Sequence, residues 1–175
     1  MSVLCRSLAQ IEAGLASEVA HIYCDFEDLR RYADAVACVR NHSAASRIFL
    51  ATPRIQKSQE AGHFKLIERA QPDGVLVRNL GGISWFKENS ALPLIGDFSL
   101  NVANPLTAQL LMEGVPFEFL TISYDLNISQ VLDLLHGAPT AWFELTLHQH
   151  IPMFHMEHCV FCTFMTQGTS YKDCG

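Results

Sequence analysis

The chain reads as an α/β protein, an incomplete (β/α)8 barrel of the TIM type, and three observations lead there. Short apolar runs alternate with helical patterns along most of the 175 residues, at a repeat of roughly 20 to 25 residues that suits one parallel βα unit. Runs such as GVLV are continuously apolar, as expected of strands covered on both faces. Seven such units follow one another with no strong phosphate-binding loop. That favours a barrel lacking its eighth strand over an open doubly wound sheet.

The elements follow in order. SVLCR (2–6) predicts a strand, and SLAQIEAGLAS (7–17) a helix whose Ser7 can cap the free N–H groups of the first turn. VAHIYCD (19–25) is the second strand. A helix over about 26–40 follows from Leu29, Tyr32, Ala33, Val36 and Val39, which recur at helical spacing. RIFLATP (47–53) is a third strand closed by Pro53, and 56–70 a helix burying Phe64, Leu66 and Ile67. GVLVRN (74–79) is the fourth strand, after which Gly81 and Gly82 open a short helical turn. LPLIGDFSL (92–100) is the fifth. Pro105 then sits near the start of a helix to Met112, where its missing N–H costs nothing. FEFLTISYD (117–125), a helix over 128–136 and AWFELTLHQH (141–150) complete the seven units. No linker divides the chain, so one partial barrel domain spans 1–175, with βα units over 1–147 and a ligand-rich loop over 148–175.

Composition narrows the function classes. At 49% hydrophobic and 17% charged residues the chain has a core to bury and is not disordered. A net charge of −6 argues against a surface built to grip DNA, although RNA presented by another domain stays open. No apolar run approaches the roughly 20 residues of a membrane span. The opening MSVLCRSLAQ lacks the basic-then-apolar pattern of a secretory signal. Six cysteines without an export signal read as reduced thiols or ligands, which points to the cytoplasm. The oligomeric state is left open.

Active sites of such folds lie at the carboxyl ends of the strands. Polar side chains bunch there: Arg6, Asp25, Arg54, Arg78, Asp97, Asn101 and Asp125 among them. Arg6, Arg54 and Arg78, with Asn101, Asp97 and Asp125, would make a cup for an anionic or hydrogen-bonding substrate, because the planar guanidinium can bond both oxygens of a carboxylate or phosphate. Asp97, Asp125, His148 and His150 are the candidate catalytic groups. On a strand, His148 and His150 share one face. Cys5 and Cys24 end strands but read as packed thiols, and Cys38 as a small core residue.

The segment from His148 to Gly175 holds four of the eight histidines and three of the six cysteines. Cys159 and Cys162 form a C-x-x-C pair, and Cys174 follows. Thiolate and imidazole bind zinc and iron–sulfur clusters, and C-x-x-C serves both. Three thiolates are one short of the usual four, so His158 or a cysteine beyond Gly175 would complete the set. His155-Met-Glu157-His158 is not the H-E-x-x-H arrangement of a metallopeptidase.

The residues VLCRSLAQIEAGL, GVLVRNLGGI, LIGDFSLNVANPLTAQLL, LTISYDLNISQVLDLL and above all HQHIPMFHMEHCVFC with the later DCG resemble the collagenase-like peptidase family U-32. They are closest to its long members, which hydroxylate a cytidine of large-subunit ribosomal RNA. The resemblance implies a TIM-type barrel with a cysteine cluster at its carboxyl face. It implies an iron–sulfur centre held by Cys159, Cys174 and Cys162, and an RNA substrate reached through the full-length protein. In the family another cysteine normally follows the DCG, and an earlier one stands where this chain has its IPM stretch. The chain is therefore expected to be a fragment without its eighth unit, inactive alone. The family's name implies proteolysis as an alternative; a non-catalytic barrel with structural zinc is a third reading.

Overall fold

The computed structural model describes residues 1–42, 45–150 and 160–167. Seven parallel strands form one sheet in chain order: β1 (Ser2–Cys5), β2 (His21–Cys24), β3 (Arg47–Ala51), β4 (Gly74–Val77), β5 (Leu94–Gly96), β6 (Phe117–Thr121) and β7 (Phe143–Glu144). Between them run α1 (Leu8–Ala16), α2 (Tyr32–His42), α3 (Gly62–Arg69), α4 (Leu80–Asn89), α5 (Pro105–Gly114) and α6 (Ile128–Gly137), while α7 (Val160–Met165) lies beyond β7. The strand order never reverses, which excludes a doubly wound sheet.

The sheet curls into a half-barrel. Glu144 on β7 accepts hydrogen bonds from Ser2 Oγ on β1 and from the Tyr23 hydroxyl on β2, although β1 and β7 are its opposite edges. Arg47 on β3 and Glu118 on β6 pair across the same concave face through two bonds of 2.7 and 2.9 Å. Glu118 faces inward because of a β-bulge: Leu94 and Ile95 are consecutive on β5, but their partners Phe117 and Phe119 are not.

The two faces carry separate apolar layers. On the concave side Tyr23, Phe49, Ala51, Leu76 and Ile95 are buried together, with Phe119 against them. On the convex side Ile22, Ile48, Leu50, Val75, Val77 and Leu94 meet the helices through Ile11, Val39, Phe64, Ile67 and Phe86. That double burial explains the uninterrupted apolar strands. Ser7 caps α1 by accepting from the Gln10 N–H, and Pro105 stands in the first turn of α5 behind its cap Asn104.

Several boundaries differ from expectation. A 3-10 turn over Leu29–Arg31, capped by Asp28, delays α2 to Tyr32. The fifth strand stops at Gly96, because Phe98–Leu100 wind into a 3-10 turn that Asn101 closes in the left-handed region at φ 54°. Gly81 and Gly82 begin a ten-residue helix rather than a short turn, since Asn79 caps it by accepting from the Gly82 N–H. The seventh strand is two residues instead of ten. A 3-10 turn over Thr140–Trp142 takes up its start, and β6 offers partners only at Leu120 and Thr121.

Candidate active site at the carboxyl ends of the strands

Strand ladders run one residue past β2 and β5, through bonds from the Asp25 N–H to the Cys5 carbonyl and from the Asp97 N–H to the Val77 carbonyl. Side-chain alternation therefore continues to these positions. Asp25, Arg78 and Asp97 each stand two residues beyond a buried inward position, Tyr23, Leu76 and Ile95, so they turn toward the concave side at its carboxyl mouth, and Arg6 lies 3.5 Å from Asp25.

Arg78 is the centre of the site, with its side chain only 4% exposed. Its Nη1 donates to Asp25 Oδ1 at 2.6 Å, and its Nε lies 3.3 Å from Asp97 Oδ2, near enough for charge pairing but misaligned for a hydrogen bond. Nη2 is buried and has no acceptor among the described residues. Its backbone N–H donates to Thr52 Oγ1, and Ser99 Oγ sits 2.9 Å from its carbonyl oxygen and 2.8 Å from Asp97 Oδ2. Burial opposes the charge on Arg78, but the Asp25 hydrogen bond and the charges of Asp25 and Asp97 outweigh it and raise its pKa. Burial likewise works to raise the Asp25 carboxyl. The Arg78 hydrogen bond and the charges of Arg78, Arg6 and Arg54 outweigh it and hold the group below its ordinary value.

Beside Arg78 opens a cavity of about 450 Å³, walled by the segments that follow β2 and β3. Arg6, Arg54 and Lys57 bring cations to it; Asp25, Glu27 and Glu60 bring carboxylates; Tyr32, Phe26 and Ile55 bring apolar surface. Asn79 ties the walls together, its Nδ2 donating to the Pro53 carbonyl at 2.8 Å while its Oδ1 caps α4. Arg54 lies over the Phe98 ring at 5.0 Å, a cation–π contact, and Tyr124 is tilted against the same ring with centroids 4.8 Å apart.

Of the residues expected from sequence, Arg6, Arg54, Arg78 and Asp97 come together here. Asn101 is exposed, serving the left-handed end of its turn, and does not line this cavity. Asp125 is exposed in the segment after β6 and is also outside the lining. His148 and His150 lie beyond β7 and are exposed, with ring centroids 6.3 Å apart. Sequence reasoning did not single out Asp25 as the partner of Arg78, although Asp25 ends its strand just as Asp97 does. It also missed Lys57 and Tyr32, which no local pattern assigns to a cavity.

Cys5 and Cys24 are fully buried on the convex side, and burial pushes the Cys5 thiol up to about 11 and Cys24 higher still, so neither is a thiolate nucleophile. Cys38 is half-buried on α2 against the core. Of the expected metal ligands, Cys159, Cys174 and His158 lie outside the described residues. Cys162 is described, buried on α7. Among the described residues no three His, Cys, Asp or Glu side chains gather closely enough to hold a metal ion. One thiol is not a donor set.

No protein-family model matches the chain, and no curated protein matches it. Among solved structures, its backbone is similar to that of MenC from Desulfotalea psychrophila LSv54, with a TM-score of 0.50 and 13% identity over 84% of this chain. The match covers 46% of MenC, so the chain spans less than half the length of that protein. At this identity the likeness is one of fold alone. Fold and site together define an α/β protein with a curled parallel sheet and an arginine–carboxylate cup at its carboxyl mouth. Among the described residues no helix is long and apolar enough to cross a membrane.

Proposed function

We propose that the half-barrel is part of a TIM-type barrel of the U-32 kind that modifies an RNA base, by hydroxylation of a cytidine. The observation that carries this reading is the arginine-lined cavity, with Arg54 lying over the Phe98 ring at its edge and Tyr124 tilted against that ring. Single-stranded RNA is held by stacking bases on aromatic and guanidinium planes while cations take its phosphates, and both elements stand at one mouth here. Arg6, Arg54 and Arg78 bind and orient, and Asp97 fixes Arg78 through its charge. On this reading Cys159, Cys162 and Cys174 hold an iron–sulfur cluster, the set implied by the family resemblance, which supplies redox chemistry when bound.

The test is anaerobic purification, followed by iron and acid-labile sulfide assays and mass spectrometry of cytidine-containing RNA incubated with the protein, an added reductant and dioxygen, one atom of which enters the base while the other leaves as water. Bound iron and sulfide with RNA heavier by one oxygen are expected. A colourless protein holding only zinc, with RNA of unchanged mass, would sink the reading.

A further inference from the structure

We propose that the unpartnered edge of Arg78 is the seat of one singly charged phosphodiester, the internal backbone phosphate of a nucleic-acid strand. The proposal rests on the RNA reading for the identity of the strand, and on the cavity for the charge and shape of the group. A guanidinium nitrogen that is buried without an acceptor loses its hydration and gains nothing in return, a cost of about 1–3 kcal/mol that an incoming oxygen removes. Arg78 cannot swing out to find solvent, because Asp25 holds Nη1 and Thr52 holds the backbone N–H. The donor is thus fixed in place before any ligand arrives.

Charge balance sets which anion fits. Arg6, Arg54, Lys57 and Arg78 line the cavity against Asp25, Glu27 and Glu60, and Asp97 pairs with Arg78 from its other side. These four cations and four carboxylates cancel, so a doubly charged terminal phosphate would leave two charges uncompensated where a phosphodiester leaves one. Arg78 is part of the cavity wall, and a phosphodiester oxygen reaches its Nη2 once neighbouring side chains at the mouth shift, because that nitrogen has almost no surface open to solvent. Arg6, whose side chain is 66% exposed, and Arg54 stand at the rim and can close on the other.

The experiment is calorimetric titration of the protein at low ionic strength with four probes: cytidylyl-3′,5′-cytidine, cytidine 5′-monophosphate, cytidine and an N-acetylated amino acid. The dinucleoside phosphate is expected to bind more tightly than the other three. Arg78→Lys should weaken it by roughly tenfold or more, and Arg54→Gln and Arg6→Gln, which alter only rim residues, by several-fold. Equal binding of cytidine, tighter binding of the monophosphate or the carboxylate probe, or unchanged binding in all three variants would each overturn the proposal. Binding that needs Arg78 in a protein that leaves RNA unmodified would keep this site and sink the hydroxylase reading. RNA modification unaffected by Arg78→Lys would do the reverse.

Discussion

Replacing Arg78 by methionine isolates the electrostatics of the mouth. Methionine fills a similar volume, so the change removes the charge and leaves the two carboxylates behind. They are not equally stranded. The Asp25 side chain is 20% exposed and keeps Arg6 at 3.5 Å, whereas Asp97 is 3% exposed and keeps only the Ser99 hydroxyl. The cost therefore falls on Asp97. Leaving one member of a buried pair uncompensated costs about 3–5 kcal/mol, a large share of the roughly 5–15 kcal/mol by which domains are stable. With a urea slope of about 2 kcal/mol per molar, the midpoint should fall by roughly 2 M, read by far-ultraviolet circular dichroism at pH 7. Adding Asp97→Asn to Arg78→Met should recover a substantial part of the loss. A loss below about 1 kcal/mol, or one that Asp97→Asn does not lessen, would show that Arg78 is not the counter-charge of a buried carboxylate.

Two further perturbations test the fold. At Gly74 a Cβ would stand 2.6 Å from the Phe49 ring and 2.7 Å from the Pro93 carbonyl oxygen, which is backbone and cannot yield, so Gly74→Ala should cost about 1–3 kcal/mol in a thermal or urea melt; an unchanged melt would refute the close approach. Stability should also vary with pH in two windows. Burial and the charge of Arg47 hold His21 below its ordinary pKa, so the fold favours the neutral ring and weakens as pH falls below about 6.5, where the unfolded ring takes up its proton first. Asp25, Asp73 and Glu118 are held below theirs by arginine partners, so their contribution is complete above the carboxylate range and is lost as pH falls below about 4. His21→Phe should flatten the first window and leave the second; urea midpoints between pH 7 and pH 3 that show one slope in both proteins would contradict this.

The sequential βα order was legible because each strand is short, apolar and followed by a helix pattern, and because both faces are covered. What periodicity could not show was where a strand stops being a strand. LPLIGDFSL and AWFELTLHQH are apolar enough to continue, yet hydrogen-bond partners decide the matter. β5 ends where the 3-10 turn over Phe98–Leu100 begins, and β7 pairs with β6 only through Leu120 and Thr121, the Ile122 N–H closing on the Glu144 carbonyl. The bulge that turns Glu118 inward was equally invisible, since alternation alone would place Glu118 and Arg47 without reference to each other.

The same limit separates the residues of the mouth that sequence identified from those it placed elsewhere. Arg78 and Asp97 sit two residues past an interior apolar position, and the ladder still holds the backbone at Asp97 and at the neighbouring Asp25. A strand's alternation then carries the first charged side chain into the concave mouth. Asn101 lies beyond a 3-10 turn, Asp125 beyond the end of β6, and His148 and His150 beyond a two-residue β7. At those positions alternation no longer fixes a direction, and a polar residue after a strand carries no information about where it points. Asp25 obeys the rule and was overlooked only because its charge was not matched to Arg78, a pairing between β2 and β4 that the two-residue period determines once the strands are in order. The cup is thus a consequence of strand periodicity meeting charge at the sheet's carboxyl edge. Among the described residues both Nε and Nη2 of Arg78 lack an acceptor, and Nη2 is the point at which the fold leaves chemistry to a ligand.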